Sequence, residues 1–142
     1  MLPNDPLAET TFKLSKQDRL IKPKHIKILF REGKSFKVSP LRVFYIKKSQ
    51  ATFSNNKVLF SISKKRIRSA VKRNRIKRLL REAYRINKWI LNSPGLRDSG
   101  FVFLIGYVYN GNGEEIHHTV FNKAVIASLQ HFRVLLNGKN FL

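Results

Sequence analysis

Residues 64–85 read KKRIRSAVKRNRIKRLLREAYR. Half of these 22 positions are Lys or Arg, and Glu82 is the one acid among them. Two helical periods run through the stretch together. Ile76, Leu79, Leu80, Ala83 and, further on, Ile90 recur at i, i+3, i+4, i+7 and i+14, an apolar stripe able to pack on a sheet. Asn74, Lys77, Arg78, Arg81, Arg85 and Lys88 recur on the other side, which is therefore almost purely cationic. The pattern predicts a helix from about Ser69, an N-cap residue type, to about Leu91, stopped by Ser93-Pro94-Gly95.

Stability alone does not select such a face. Like charges four apart destabilise a helix by a few tenths of a kcal/mol per pair, and Lys77/Arg81 and Arg81/Arg85 both have that spacing. A helix shaped only by stability alternates Glu with Lys. Phosphate binding accounts for the arrangement, because each Lys or Arg that neutralises a phosphate releases condensed counterions. The whole chain repeats the message, with 29 Lys+Arg against 8 Asp+Glu and a formal net charge of +21 in 142 residues. Self-repulsion on that scale calls for a polyanionic partner, nucleic acid first and an anionic membrane surface second. A membrane anchor would need its apolar face free, and here the core needs that stripe.

The remaining segments fit one domain. Residues 1–10 read as a flexible leader, and 11–142 as a single domain that binds nucleic acid, with DNA against RNA left open by charge alone. Pro23 to Gly33 predicts a short helix with Pro in its first turn, Gly at its C-cap, and Ile26, Leu29 and Phe30 on one side. Residues 42–48 and 57–63 are strand-like, with a loop between them, and FVFLIGYVY (101–109) reads as a strand buried on both faces. A last helix from about Thr119 to Leu136 places Phe121, Val125, Leu129, Phe132 and Leu136 on one face. The expected fold class is an α/β (α+β) sandwich. With 42% hydrophobic residues and 11 Phe, the chain has the material for a core. The chain holds no cysteine, which removes disulfides, thiolate zinc sites and a thiol nucleophile. No apolar run reaches the roughly 20 residues needed to span a bilayer, and the N-terminus lacks signal-peptide features. The expectation is a cytoplasmic protein.

The order of residues in the basic stretch adds an identity. Ser63-Lys64-Lys65, then Ala70-Val71, then Arg73-Asn74-Arg75-Ile76-Lys77-Arg78, then Leu80-Arg81-Glu82-Ala83-Tyr84-Arg85 resembles the signature of the bacterial ribonuclease P protein subunit. Upstream, Phe12 to Leu14, Arg19-Leu20, Ile26, Leu29-Phe30 and Gly33 resemble that family's N-terminal pattern. The resemblance implies a small sandwich with a mostly antiparallel or mixed sheet and a left-handed βαβ crossover, a hand that general rules would not predict. It implies the accessory subunit of a ribonucleoprotein endonuclease that removes the 5′ leader of precursor tRNA, with the catalytic centre in the RNA. Its partners would be the catalytic RNA and the single-stranded leader, with the protein monomeric in the assembly. Magnesium would be held mainly by RNA.

Carried onto this chain, the resemblance assigns RNA contact to Lys64, Lys65, Arg68, Lys72, Arg73, Asn74, Arg75, Lys77, Arg78 and Arg81. A guanidinium can hold two phosphate oxygens. Arg73 and Arg75 diverge to opposite flanks of a helix, leaving Asn74 between them to reach a 2′-OH or a base edge, or else to act as a local cap. The resemblance also implies a leader-binding cleft at Ile26, Phe30 and Phe44, where aromatics stack on bases. Ile26 stands where the family usually has an aromatic, and Phe30 and Phe44 read equally as core. His117-His118 reads as a solvated loop, and the scattered acids offer no cluster for two-metal phosphodiester chemistry. Two other classes stay open on the residues alone: a ribosomal or RNA-chaperone module, and a protein-only nuclease.

Overall fold

The structure is a computed structural model that describes residues 14–91 and 99–136. Its elements are helix α1 (Pro23–Glu32), strands β1 (Lys34–Val38), β2 (Leu41–Ser49) and β3 (Lys57–Ile62), helix α2 (Ala70–Asn87), strand β4 (Phe101–Tyr109) and helix α3 (His118–Leu136). Short 3-10 turns at Lys16–Asp18 and Lys88–Leu91 precede α1 and follow α2. The four strands lie in the order β1-β2-β4-β3. β2 pairs antiparallel with both β1 and β4, while β3 runs parallel to β4. A hairpin cannot join parallel neighbours, and α2 makes the crossover between them. The sheet is mixed, as expected.

Strand β4 shows why its sequence lacks alternation. It is an inner strand with helices on both faces, and Val102 to Tyr107 are all buried. On one face Phe103, Ile105, Tyr107 and Tyr109 join Val43 of β2 and Val58 of β3 in the main core. Helix α2 supplies Ile76, Leu80, Ala83 and Tyr84 to that core, and α3 supplies Phe121, Val125, Leu129 and Phe132. Leu136 packs against it only partly. The Tyr107 hydroxyl meets Ser128 Oγ at 2.6 Å, and Ser128 donates to the Val125 carbonyl, which pins α3 to the sheet. Burial pushes the Tyr84 and Tyr107 phenols well above their usual pKa, so both stay protonated donors. On the other face a smaller cluster forms from Leu20, Leu29 and Leu104, with Ile26, Phe44, Ile46 and Leu59 against it. Here α1 lies close over Gly106, where an added Cβ would come within 3.0 Å of Leu29 Cδ2 and 3.3 Å of Phe30 Cζ.

Three features depart from the sequence reading. Strand β1 was not expected. KSFKV is short and polar at three of its five positions, and it becomes a strand by pairing with β2 as an edge. Helix α2 gives way to the tighter turn at Lys88, ahead of Leu91, and the stop expected at residues 93–95 lies outside the described residues, as do residues 1–13. Lys88, expected on the cationic face, is buried at 6% exposure. Its backbone N–H still bonds the Tyr84 carbonyl, so it lies one turn beyond Tyr84 at the edge of the buried stripe, where Nζ sits 3.0 Å from Asp18 Oδ2. That carboxylate also accepts from the Ser15 backbone N–H at 2.9 Å, so one ion pair ties the segment before α1 to the end of α2.

Breaking a buried pair strands the remaining charge. Lys88→Ala is expected to lower unfolding free energy by about 3 kcal/mol in urea denaturation, whereas truncation of an exposed lysine such as Lys77 should leave it within about 0.5 kcal/mol.

Candidate nucleic-acid interface

The cationic surface is built in two pieces, a loop and a helix. After β3, Ser63 forms a turn in which its Oγ accepts from the backbone N–H groups of Lys65 and Arg66 at 3.2 and 3.4 Å. Ile67 is buried at 4% exposure and holds the loop down like a peg. Lys64, Lys65 and Arg68 are left exposed around it. Arg66, not among the residues expected to bind, donates to the Asn110 carbonyl at 3.2 Å and moors the loop to the end of β4. Ser69 then caps α2, its Oγ accepting from the Lys72 N–H at 3.2 Å.

Helix α2 presents Lys72, Asn74, Arg75, Lys77, Arg78 and Arg81 exposed, with Arg73 half-buried. None of the expected RNA-binding residues joins an ion pair among the described residues, where Arg31, Arg85 and Lys88 are the paired bases. The first turn carries no acid, so Lys72 and Arg73 also sit against the positive end of the helix dipole. Among the basic residues of α2, Arg85 has an acidic partner. Its guanidinium bonds Glu82, and that hydrogen bond holds the Glu82 carboxyl below its usual pKa.

Arg73 and Arg75 diverge as their spacing requires, but one terminal nitrogen of each guanidinium meets protein. Arg73 Nη1 donates to the Ile67 and Arg68 carbonyls, both at 2.8 Å. Arg75 Nη2 donates to the Ile116 carbonyl at 3.3 Å on the opposite flank. A guanidinium carries five N–H donors, so each arginine can brace a loop and still offer donors outward. Ser69 fills the capping position, so Asn74 is not a cap; it stands exposed, five residues further along the helix.

Ile26, Phe30 and Phe44 come together on the other face of the sheet. The Phe30 and Phe44 rings meet edge to face at 5.0 Å between centroids. Phe30 is 37% exposed, while Ile26 and Phe44 are half-buried against the Leu20, Leu29 and Leu104 cluster. Neither aromatic is wholly core, and both keep open ring surface. The sheet thus separates this cleft from α2. His118 opens α3 with His117 just before it, and both are exposed. Among the described residues no three His, Asp or Glu gather as a metal ligand set, and no helix is long and apolar enough to cross a membrane. Two exposed rings escaped the sequence reading: Phe101, at the start of β4, and Trp89, eleven positions beyond Arg78, a spacing that brings it to the same side of the helix.

A family model described as Ribonuclease P matches residues 14–108, from the segment before α1 through nearly all of β4. A ribonuclease P protein component of Porphyromonas gingivalis is 54% identical over 85 residues, a span covering 60% of this chain and 62% of that protein. The chain therefore spans about three-fifths of that relative's length. A ribonuclease P protein component of Chlorobium phaeobacteroides is 37% identical over 125 residues, 83% of this chain and 86% of that one. Among solved structures, the ribonuclease P protein of Thermotoga maritima superposes with a TM-score of 0.60 at 21% identity, over 80% of this chain and 96% of that one, which shows a common fold. The matched span holds the braced loop, the cationic helix and the sheet beneath it, and this chain belongs to the ribonuclease P protein family.

Proposed function

We propose that the protein is the protein component of ribonuclease P, which assists a catalytic RNA in endonucleolytic removal of the 5′ leader from precursor tRNA. The observation that carries this reading is the exposed face of α2, where Lys72, Lys77, Arg78 and Arg81 stand without ion-pair partners on a rigid, core-anchored helix. Unpaired cations on a fixed frame suit a folded RNA, whose phosphates also hold fixed positions. Asn74 in their midst supplies a donor and an acceptor for a 2′-OH or base edge. Lys64, Lys65 and Arg68 extend the same surface along the loop, and the outward donors of Arg73 and Arg75 complete it. The protein acts as a monomer within the assembly, in the cytoplasm where precursor tRNA is processed.

The cleft at Ile26, Phe30 and Phe44 takes the single-stranded leader, with the open faces of Phe30 and Phe44 stacking on bases and Ile26 giving apolar contact. Magnesium finds no ligand set among the described residues, and we assign it to the RNA. The protein's contribution is to bind, orient and screen phosphate charge, so that the RNA–substrate complex forms at a lower metal concentration.

Cleavage of precursor tRNA should be measured with protein alone, a bacterial ribonuclease P RNA alone, and both, at low magnesium. Cleavage is expected only with both. Activity of the protein alone, or no effect of the protein on the RNA, would sink the reading. In binding to that RNA, Lys77→Ala or Arg78→Ala should lower the slope of log affinity against log salt by about one each without changing thermal stability. Arg73→Ala should weaken binding and also cost roughly 1 kcal/mol of stability, because it releases the Ile67 and Arg68 carbonyls. Phe30→Ala should weaken binding of a leader-bearing precursor roughly ten-fold and leave binding of leaderless tRNA unchanged. Equal loss on both substrates would place Phe30 outside the leader contact.

A further inference from the structure

Helix α2 does not end its outward face with a charge. In the 3-10 turn Lys88–Leu91, Lys88, Ile90 and Leu91 are buried, while Trp89 remains 49% exposed. It is the one tryptophan of the chain. Arg78, Arg81, Glu82, Arg85 and Trp89 are spaced so that they share the outer side of the helix. At a rise of about 1.5 Å per residue, the indole stands roughly 16 Å beyond Arg78 and 22 Å beyond Asn74. That is several nucleotides along an RNA strand.

The core does not need this ring. Tyr84 and Ile90, on either side in sequence, fill the interior, and no ring contact among the described residues engages Trp89. A half-exposed indole on the same helix side as Arg78 and Arg81, which join no ion pair among the described residues, has the two parts of a single-strand site: charge that follows the backbone and a flat face that accepts any base. The surrounding charge argues against the other occupants. A membrane would need a wide apolar patch, and among the described residues of α2 the exposed large apolar side chains are Ile86, at 36% exposure, and Val71 near the opposite end of the helix. A second copy of a chain with net charge +21 would bring cations against cations.

We propose that Trp89 is a stacking platform for an unpaired base of the RNA held by the α2 face, anchoring the far end of the protein on that RNA. The proposal rests on the RNA-binding reading above and extends the contact beyond the basic motif. The indole reports on itself, since selective excitation sees Trp89 alone. Saturating bacterial ribonuclease P RNA is expected to quench its emission and shield it from acrylamide in the wild-type protein. Trp89→Ala should bind that RNA roughly ten-fold more weakly, with an unchanged salt slope, because no phosphate contact is lost. Trp89→Phe, which keeps a ring, should retain most of the affinity. Arg78→Ala should do the reverse, lowering the salt slope while leaving the shielding at saturation intact. The proposal is overturned if the wild type binds RNA with its indole still open to acrylamide and Trp89→Ala binds equally well. Shielding that grows with protein concentration in the absence of RNA also overturns it, in favour of a contact between copies. Failure of the wild type to bind the RNA is a separate result, which removes the RNA-binding reading and this proposal together.

Discussion

Everything on the functional surface depends on the seating of one apolar stripe. Ile76, Leu80, Ala83 and Tyr84 of α2 are buried against the sheet, and full burial of a large apolar side chain is worth roughly 1.5–3 kcal/mol. Opposing them are like charges at helical spacing and cations at the positive end of the helix dipole, each costing a few tenths to about 1 kcal/mol. Packing therefore wins by a comfortable margin, and the outward face is free to carry charges that no isolated helix would tolerate. A helix held by its core rather than by its own surface pairs leaves those pairs unmade, and unmade pairs are what a polyanion can use.

Arginine and lysine divide the work differently on this surface. Arg66, Arg73 and Arg75 reach backbone carbonyls of the two loops that flank the start of α2. Each has a fork of donors, so bracing a carbonyl does not exhaust it. The lysines, with a single ammonium on a flexible stem, stand clear. The braced loop keeps Lys64, Lys65 and Arg68 in register with the helix, so the surface behaves as one rigid array. Lys88 is the exception that shows the rule of burial: taken from water, it has a carboxylate at 3.0 Å.

The sheet gives the molecule two independent faces. Strand β4 sends Phe103, Ile105 and Tyr107 to the core beneath α2 and α3, and Leu104 and Gly106 to the cluster beneath α1. Gly106 lets α1 approach closely enough to bring Phe30 to Phe44 while leaving both rings partly open. Changes on the cationic helix and changes in the cleft act through opposite sides of this strand, so their effects on the two surfaces should be separable.

Much of this was legible in the residues. The helical periods of 64–85 specified a two-sided helix because apolar and cationic positions recur at fixed intervals, and an interval needs no tertiary information. The unbroken apolar run of β4 specified a strand covered on both faces for the same reason. Strand β1 was not legible, because KSFKV has no strand character until β2 supplies its hydrogen-bond partners. The burial of Lys88 was hidden too, since it depends on Asp18, seventy residues away in the chain. The sequence also could not say that Phe30 and Phe44 keep open surface, or that Arg73 and Arg75 brace loops. Local spacing determines which side of an element a residue occupies. Only the folded chain decides what lies opposite it, because burial and hydrogen bonding are properties of neighbours that the sequence brings from far away.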